Sequence, residues 1–186
     1  MRNDMSQIKN HLIEDLIERE GGYVNDPTDR GGETMYGITL KTARQYGYKG
    51  AMKDLPYELA FMIYEAIYWA PIKLDDIQVI SEALTEQLFD FGVNSGTGNA
   101  ARSLQRVLNV LNNRQTLYPD LTEDGILGSR SIAALKTYIS HRKQTGLKVL
   151  VEAVRGLRIS FSIDIAANDE SQEKYSFGWL DRIVNL

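Results

Sequence analysis

The sequence predicts an all-α fold, a multi-helix bundle with at most one small hairpin. Apolar residues recur at helical spacing through most of the 186-residue chain. No stretch alternates between apolar and polar residues for long enough to indicate a long strand. Five glycines and a proline concentrate in residues 20–39, a polar loop between two predicted helices, and this loop becomes extended near Ile38. A hairpin is therefore expected only in that loop.

Eight helices are expected, and residues that start or stop helices mark their ends. Thr39 is typical of an N-cap for the second helix, which stops near Gly47. Pro71 ends the third helix. The segment 112–128 is polar and rich in turn residues, so it separates the fifth helix from the sixth. In chain order the helices are expected at about 6–20, 40–46, 54–70, 76–91, 99–111, 129–142, 147–167 and 177–184.

Glu20 ends the first helix on the face that carries its apolar residues. It lies three residues after Ile17 and seven after Ile13, so it continues their stripe and is expected to be buried. Burial and the negative end of a helix both disfavour the charged form of a carboxyl group. A carboxylic acid that keeps its proton is what general-acid cleavage of an acetal needs. An ordinary last-turn glutamate is the alternative interpretation.

Asp29 and Thr34 follow Glu20 within the same turn-rich loop. An acid, a second carboxylate and a water-orienting hydroxyl together form a set suited to hydrolysis. Asp29 precedes Arg30-Gly31, and an aspartate in such a context can equally be a turn former.

The composition excludes several classes of function. Cysteine is absent and the two histidines, His11 and His141, lie far apart, so no metal site and no cofactor is expected. A formal net charge of -4 argues against a nucleic-acid partner. No run of 18 apolar residues indicates a membrane span, and the N-terminus lacks the apolar core of a signal peptide. Arg155 and Arg158 are interpreted as surface charges on the long seventh helix.

The loop EGGYVNDPTDRGGETMYGIT, residues 20–39, resembles the opening motif of glycoside hydrolase family 108, the phage- and prophage-type muramidases. Residues 68–71 and 88–96 resemble further blocks of that family. Residues 177–182, FGWLDR, are similar to its closing signature. Residues 122–128, TEDGILG, resemble the Asp-Gly-x-x-Gly turn of small helical peptidoglycan-binding modules.

The resemblance implies a lysozyme-like fold in which Glu20 is the catalytic acid. By similarity to the wider group of phage lysozymes, it implies that Asp29 and Thr34 handle the attacking water or stabilise the developing cation. Residues 1–96 are then expected to be the catalytic segment. Residues 97–186 are expected to be a peptidoglycan-binding-like segment packed on it, and a single compact unit is the alternative.

Five residues are candidates for binding the glycan. Sugar rings pack on aromatic faces through their C–H groups, and their hydroxyls need polar partners. The aromatic candidates are Tyr36, Tyr68 and Trp69, and the polar candidates are Asp90 and Asn94. Tyr68 and Trp69 could equally pack the core at a helix end, and Asn94 could be a helix C-cap.

The expected function is that of an N-acetylmuramidase, which hydrolyses the β-1,4 bond between N-acetylmuramic acid and N-acetylglucosamine and lyses bacteria. The resemblance implies a monomer made in the host cytoplasm that reaches the periplasm and wall through a holin-type pore. The first alternative is a non-catalytic, lysozyme-like protein that binds peptidoglycan. A wall peptidase or amidase is the second, but the chain lacks the cysteine or histidine cluster for that chemistry.

Overall fold

The computed structural model describes residues 2–25 and 32–186, with side chains from residue 7 onward. The chain forms two compact units, Met1–Ala70 and Pro71–Leu186. Both units are mainly helical, as predicted, and the sheet found in the described residues has two short antiparallel strands. The predicted domain boundary after residue 96 stays a prediction.

The first unit is built from three α-helices and the predicted hairpin. Ile13, Leu16 and Ile17 are buried, which confirms the apolar stripe of the first helix. The predicted third helix is α-helical at its start and ends in one turn of π-helix, Glu65–Trp69. The elements of this unit are α1 (Arg2–Glu20), β1 (Thr34–Met35), β2 (Ile38–Thr39), α2 (Leu40–Gln45), a 3₁₀ turn (Met52–Asp54), α3 (Tyr57–Tyr64) and the π turn.

The hairpin has a two-residue turn at Tyr36 and Gly37. Both residues have positive φ angles, 54° and 70°, which is the backbone of a type I′ turn. Thr34 pairs with Thr39 across the hairpin. On its other side, Thr34 exchanges two backbone hydrogen bonds of 2.9 Å with Val24. Backbone pairing on both sides therefore fixes the position of Thr34.

Thr39 joins the hairpin to α2 and caps that helix. Its hydroxyl oxygen accepts a hydrogen bond of 3.2 Å from the backbone N–H of Thr42. The predicted N-cap is confirmed, and the hairpin is tied to the helix that follows it.

The second unit is an assembly of five helices. The predicted fourth helix, 76–91, is wrong as a single element, because Ser81 interrupts it. The Ser81 hydroxyl accepts a hydrogen bond of 3.1 Å from Leu84 N–H and so starts a new helix. The two helices expected at 129–142 and 147–167 lie within Ser129–Asn168 and are separated by a kink at Lys143, where the backbone is non-helical. The helices are α4 (Leu74–Gln78), α5 (Glu82–Ser95), α6 (Thr97–Leu111), α7 (Ser129–Asn168) and α8 (Glu173–Val184).

Side-chain amides on α6 hold the turn-rich segment 112–128 in place. Asn109 donates to the carbonyl of Leu121 at 2.9 Å and accepts from its N–H at 2.7 Å. Gln105, one helical turn earlier, also binds this segment: its side-chain amide accepts a hydrogen bond from Gly125 N–H and donates one to the Asp124 carboxylate. Asp124-Gly125 is therefore a turn whose backbone is satisfied by α6.

Among the described residues, no helix combines the length and the apolar character needed to cross a membrane.

Candidate active site

Glu20 is the last residue of α1, and its side chain is exposed. The prediction that it is buried was wrong. The buried stripe of α1 ends at Ile17, and Gly21, with a φ of +80°, turns the chain away directly after Glu20. Helical spacing indicates the face on which a residue lies but does not indicate where the covering element stops.

The tip of the hairpin lies directly against Glu20. A Cβ atom built on Gly37 would lie 2.7 Å from Glu20 Oε2 and 2.9 Å from the hydroxyl oxygen of Tyr64. Both distances are shorter than real Cβ contacts, so a side chain at Gly37 would have to displace the Glu20 carboxylate and the Tyr64 hydroxyl, and the positive φ also favours glycine. The Tyr64 hydroxyl donates a hydrogen bond of 2.7 Å to the carbonyl of Tyr36. One contact therefore joins α1, the hairpin and α3 at the Glu20 carboxylate.

Tyr64 and Tyr68 place two hydroxyl groups in the electrostatic range of Glu20. Their rings stack with centroids 5.9 Å apart. Burial raises the pKa of both tyrosines, and the negative charge of Glu20 raises it further. Both hydroxyls therefore stay protonated at neutral pH, and Tyr64 donates its proton to the Tyr36 carbonyl. Sequence analysis missed Tyr64, although its four-residue spacing from Tyr68 on one predicted helix was a usable signal.

A second aromatic pair extends from the hairpin tip. Tyr36 packs edge-on against Tyr57, with ring centroids 5.8 Å apart. Tyr36, Tyr57 and Tyr68 are each half-exposed, so the tyrosine cluster, defined as these three residues and Tyr64, presents aromatic surface to solvent. Burial raises the pKa of Tyr57. The predicted aromatic candidates Tyr36 and Tyr68 thus lie in the same unit as Glu20, within one cluster.

Trp69 has a different environment from Tyr68. It ends the π turn and is fully buried, at 0% exposure, so its ring has no face open to a sugar. The Lys9 ammonium lies 5.9 Å from the centre of the ring and pairs with Glu65 at 2.8 Å. Single π turns occur frequently at functional sites, where the extra residue redirects the side chains of a helix.

Of the two remaining catalytic candidates, Thr34 lies within the described residues and Asp29 does not. Thr34 is half-buried on β1, two residues before the turn that contacts Glu20. The roles of both residues stay predictions.

The polar binding candidates belong to the second unit. Asp90 is buried on α5, where its carboxylate accepts hydrogen bonds from Arg158 and Arg182. Asn94 is exposed, and its amide donates to the carbonyl of Asp90 at 2.6 Å. Their contact with glycan stays a prediction. Arg158 is 2% exposed, so its interpretation as a surface charge was wrong.

Within the described part of the chain, no cluster of three or more histidine, cysteine or acidic residues could hold a metal ion.

An exposed carboxylate, two tyrosine hydroxyls within its electrostatic range and partly exposed aromatic rings together form the candidate active site of the first unit. Residues 13–96 match the family model described as glycosyl hydrolase 108. Residues 99–184 match the model described as a predicted peptidoglycan domain. The chain thus carries a glycosyl hydrolase 108 domain followed by a peptidoglycan domain on its C-terminal side. It is therefore a glycoside hydrolase that acts on peptidoglycan.

A solved structure, described as the structure of Brucella abortus SagA, has a similar fold. The match covers 100% of this chain and 92% of that chain, with a TM-score of 0.64. The sequences are 24% identical, so this likeness concerns the fold alone. No curated protein matches the chain.

The contact at Gly37 can be tested with two alanine substitutions. Gly37→Ala should lower hydrolysis of peptidoglycan at least about tenfold, because the new methyl group displaces Glu20 or Tyr64. Gly47→Ala is the matched control: Gly47 has a similar φ of +84°, but nothing lies within 4 Å of its Cβ position. Both variants should lose about 1 kcal/mol of stability from backbone strain. Equal activity in the two would contradict the importance of the contact.

The raised pKa of Tyr64 predicts how stability depends on pH. The folded protein holds this proton more tightly than the unfolded chain, whose tyrosines titrate near 10.0. The resulting stabilisation is complete below pH 10 and is lost as pH rises further. Tyr64→Phe should cost about 1 kcal/mol at pH 8 through the lost hydrogen bond. The difference from wild type should shrink above pH 10 in urea unfolding, and a constant difference would contradict the assignment.

Proposed function

We propose that this protein is an N-acetylmuramidase, and that Glu20 is its general acid. The observation that carries the proposal is the position of the Glu20 carboxylate. It is exposed at the end of α1, it lies against the hairpin tip, and it is near two tyrosine hydroxyls. A sugar chain can reach such a group, whereas it cannot reach an acid sealed in a core.

The proposed reaction is hydrolysis of the β-1,4 bond between N-acetylmuramic acid and N-acetylglucosamine. Glu20 donates its proton to the bridging oxygen as the bond from that oxygen to the anomeric carbon breaks. Positive charge develops on the muramic acid ring. Water adds to the anomeric carbon and loses a proton to a carboxylate, the role we assign to Asp29, with Thr34 orienting the water. Proton exchange with solvent then restores the acid.

Substrate binding is proposed to create the environment that the acid needs. Glu20 is exposed to water in the free protein. A glycan strand that covers Glu20 removes this water, which favours the protonated form and strengthens the hydrogen bonds around it. Catalysis would then depend on how fully the sugar covers the end of α1.

The tyrosine cluster is the proposed platform for the sugar rings. Tyr36 and Tyr68 are half-exposed beside Glu20, and aromatic rings pack well on the C–H faces of sugars. The acidic charge of the chain offers no general attraction to an anionic wall. Shape and stacking would therefore supply recognition, and Asp90 and Asn94 remain candidates for polar contacts.

We further propose that the biological role is that of a phage-type, bacteriolytic endolysin. It would act as a monomer on the wall and reach the wall through a holin-type pore. The sequence resemblance of the loop 20–39 supports this proposal.

Glu20→Gln is the direct test of the acid assignment. The variant keeps the size of the side chain but cannot donate the acid's proton, so release of reducing ends from purified sacculi should fall by about 10²–10⁴-fold. Glu18→Gln is the control, because Glu18 is exposed on the same helix, two residues earlier. Free amines should not increase in either digest. Near wild-type activity of Glu20→Gln would refute the assignment, and new amines without reducing ends would indicate a peptidase or amidase.

The roles of Asp29 and Thr34 predict graded losses. Asp29→Asn should lower kcat by about 10²-fold or more, because an amide cannot accept the proton of the water. Thr34→Ala should lower kcat, whereas Thr34→Ser, which keeps a hydroxyl, should retain most of it. Circular dichroism would confirm that each variant is folded. Loss of activity to the same extent in Thr34→Ser and Thr34→Ala would argue against a role for the hydroxyl.

A further inference from the structure

A cavity of about 120 Å³ lies within the second unit, lined by residues of α5, α7 and α8. It is far larger than one water molecule requires, and it approaches the roughly 150 Å³ of cavities that hold benzene. Asp90, Arg158 and Arg182 form its polar wall, and Phe91, Trp179 and Ile183 are among its apolar residues. All the residues that line it belong to the second unit, whereas Glu20 belongs to the first.

The polar wall carries an excess of positive charge. The Asp90 carboxylate accepts from Arg158 through Oδ2, at 2.5 Å, and from Arg182 through Oδ1. Gln87, which is neutral, accepts another hydrogen bond from Arg158. Two guanidinium groups thus share a single carboxylate. Burial lowers the pKa of Arg158, and the positive charges of Arg182 and Arg155 act in the same direction.

Both arginines also retain donors that the described residues do not satisfy. The Nε atoms of Arg158 and Arg182 are buried and have no hydrogen-bond partner within the described part of the chain. A buried, unsatisfied donor costs about 1–3 kcal/mol, and more when it is charged. Arg158 is 2% exposed, so bulk water does not compensate for it. An anion in the cavity would supply both a counter-charge and an acceptor.

The size of the cavity and its apolar side indicate which kind of anion would fit it. A small inorganic anion would contact only the polar side of the cavity, whereas a carboxylate that carries a methyl-sized group would also contact its apolar side. We propose that this cavity binds the terminal carboxylate of a short peptide that ends in a small apolar residue. The stem peptides of peptidoglycan, which end in D-alanine, present this chemistry. The inference rests on the peptidoglycan domain and not on the muramidase activity.

The test is a calorimetric titration of the full chain with D-alanyl-D-alanine and with its C-terminal amide. The two probes have the same size and differ in the carboxylate. Binding of the free acid should be saturable, and the amide should bind at least tenfold more weakly. Glu20→Gln should bind the free acid as the wild type does, so the result does not depend on hydrolysis.

Two variants and one control locate the binding. Arg182→Gln should weaken binding of the acid at least tenfold, because it removes one of the two cations. Arg155→Gln is the control: Arg155 lies on the same α7, pairs with Glu152 and does not line the cavity. Asn94→Asp alters an exposed residue at the cavity and should weaken binding through charge repulsion even where Arg182→Gln fails to fold.

Three outcomes would overturn the proposal. They are equal binding of the acid and the amide, no saturable binding of either probe, or equal binding in wild type and in a folded Arg182→Gln. The last outcome would assign the arginines a purely structural role, in which they only join α5, α7 and α8. A lack of muramidase activity would leave all three readouts unaffected.

Discussion

The candidate active site depends on one close approach, that of the Gly37 backbone to the Glu20 carboxylate and the Tyr64 hydroxyl. Any side chain at Gly37 would occupy the space that these two groups use. The positive φ of Tyr36 and Gly37 forms the tight turn, and the Tyr64 hydroxyl anchors it through the Tyr36 carbonyl. Three elements far apart in sequence therefore meet at one carboxylate, and a small backbone requirement sets the position of the proposed acid.

A different constraint organises the second unit, namely the buried guanidinium of Arg158. A buried charge without a partner is strongly destabilising, so the helices that supply Asp90 and Gln87 must pack against α7. Arg182 brings α8 to the same carboxylate. This arrangement sets two guanidinium groups against one carboxylate. The carboxylate proposed to bind in the cavity would balance the second cation.

The sequence predicted the features that local signals determine. Thr39 caps α2, the glycine-rich loop contains the hairpin, and the segment 112–128 is a turn region, because each depends on neighbouring residues. Features that depend on distant contacts were missed. Glu20 is exposed because α1 continues beyond Ile17, its last buried residue. Arg158 is buried in an ion pair with Asp90, which lies 68 residues away in the sequence. Neither fact has a periodic signature.

The exposure of Glu20 also indicates how the proposed acid would be activated. Glu20 lies at the exposed end of α1, where a substrate that covers the site would exclude water from the carboxyl group. The half-exposed Tyr36 and Tyr68 lie where such a cover would rest. On this argument the enzyme holds its acid in an accessible, water-exposed position, and the glycan itself completes the low-dielectric environment in which the proton is transferred.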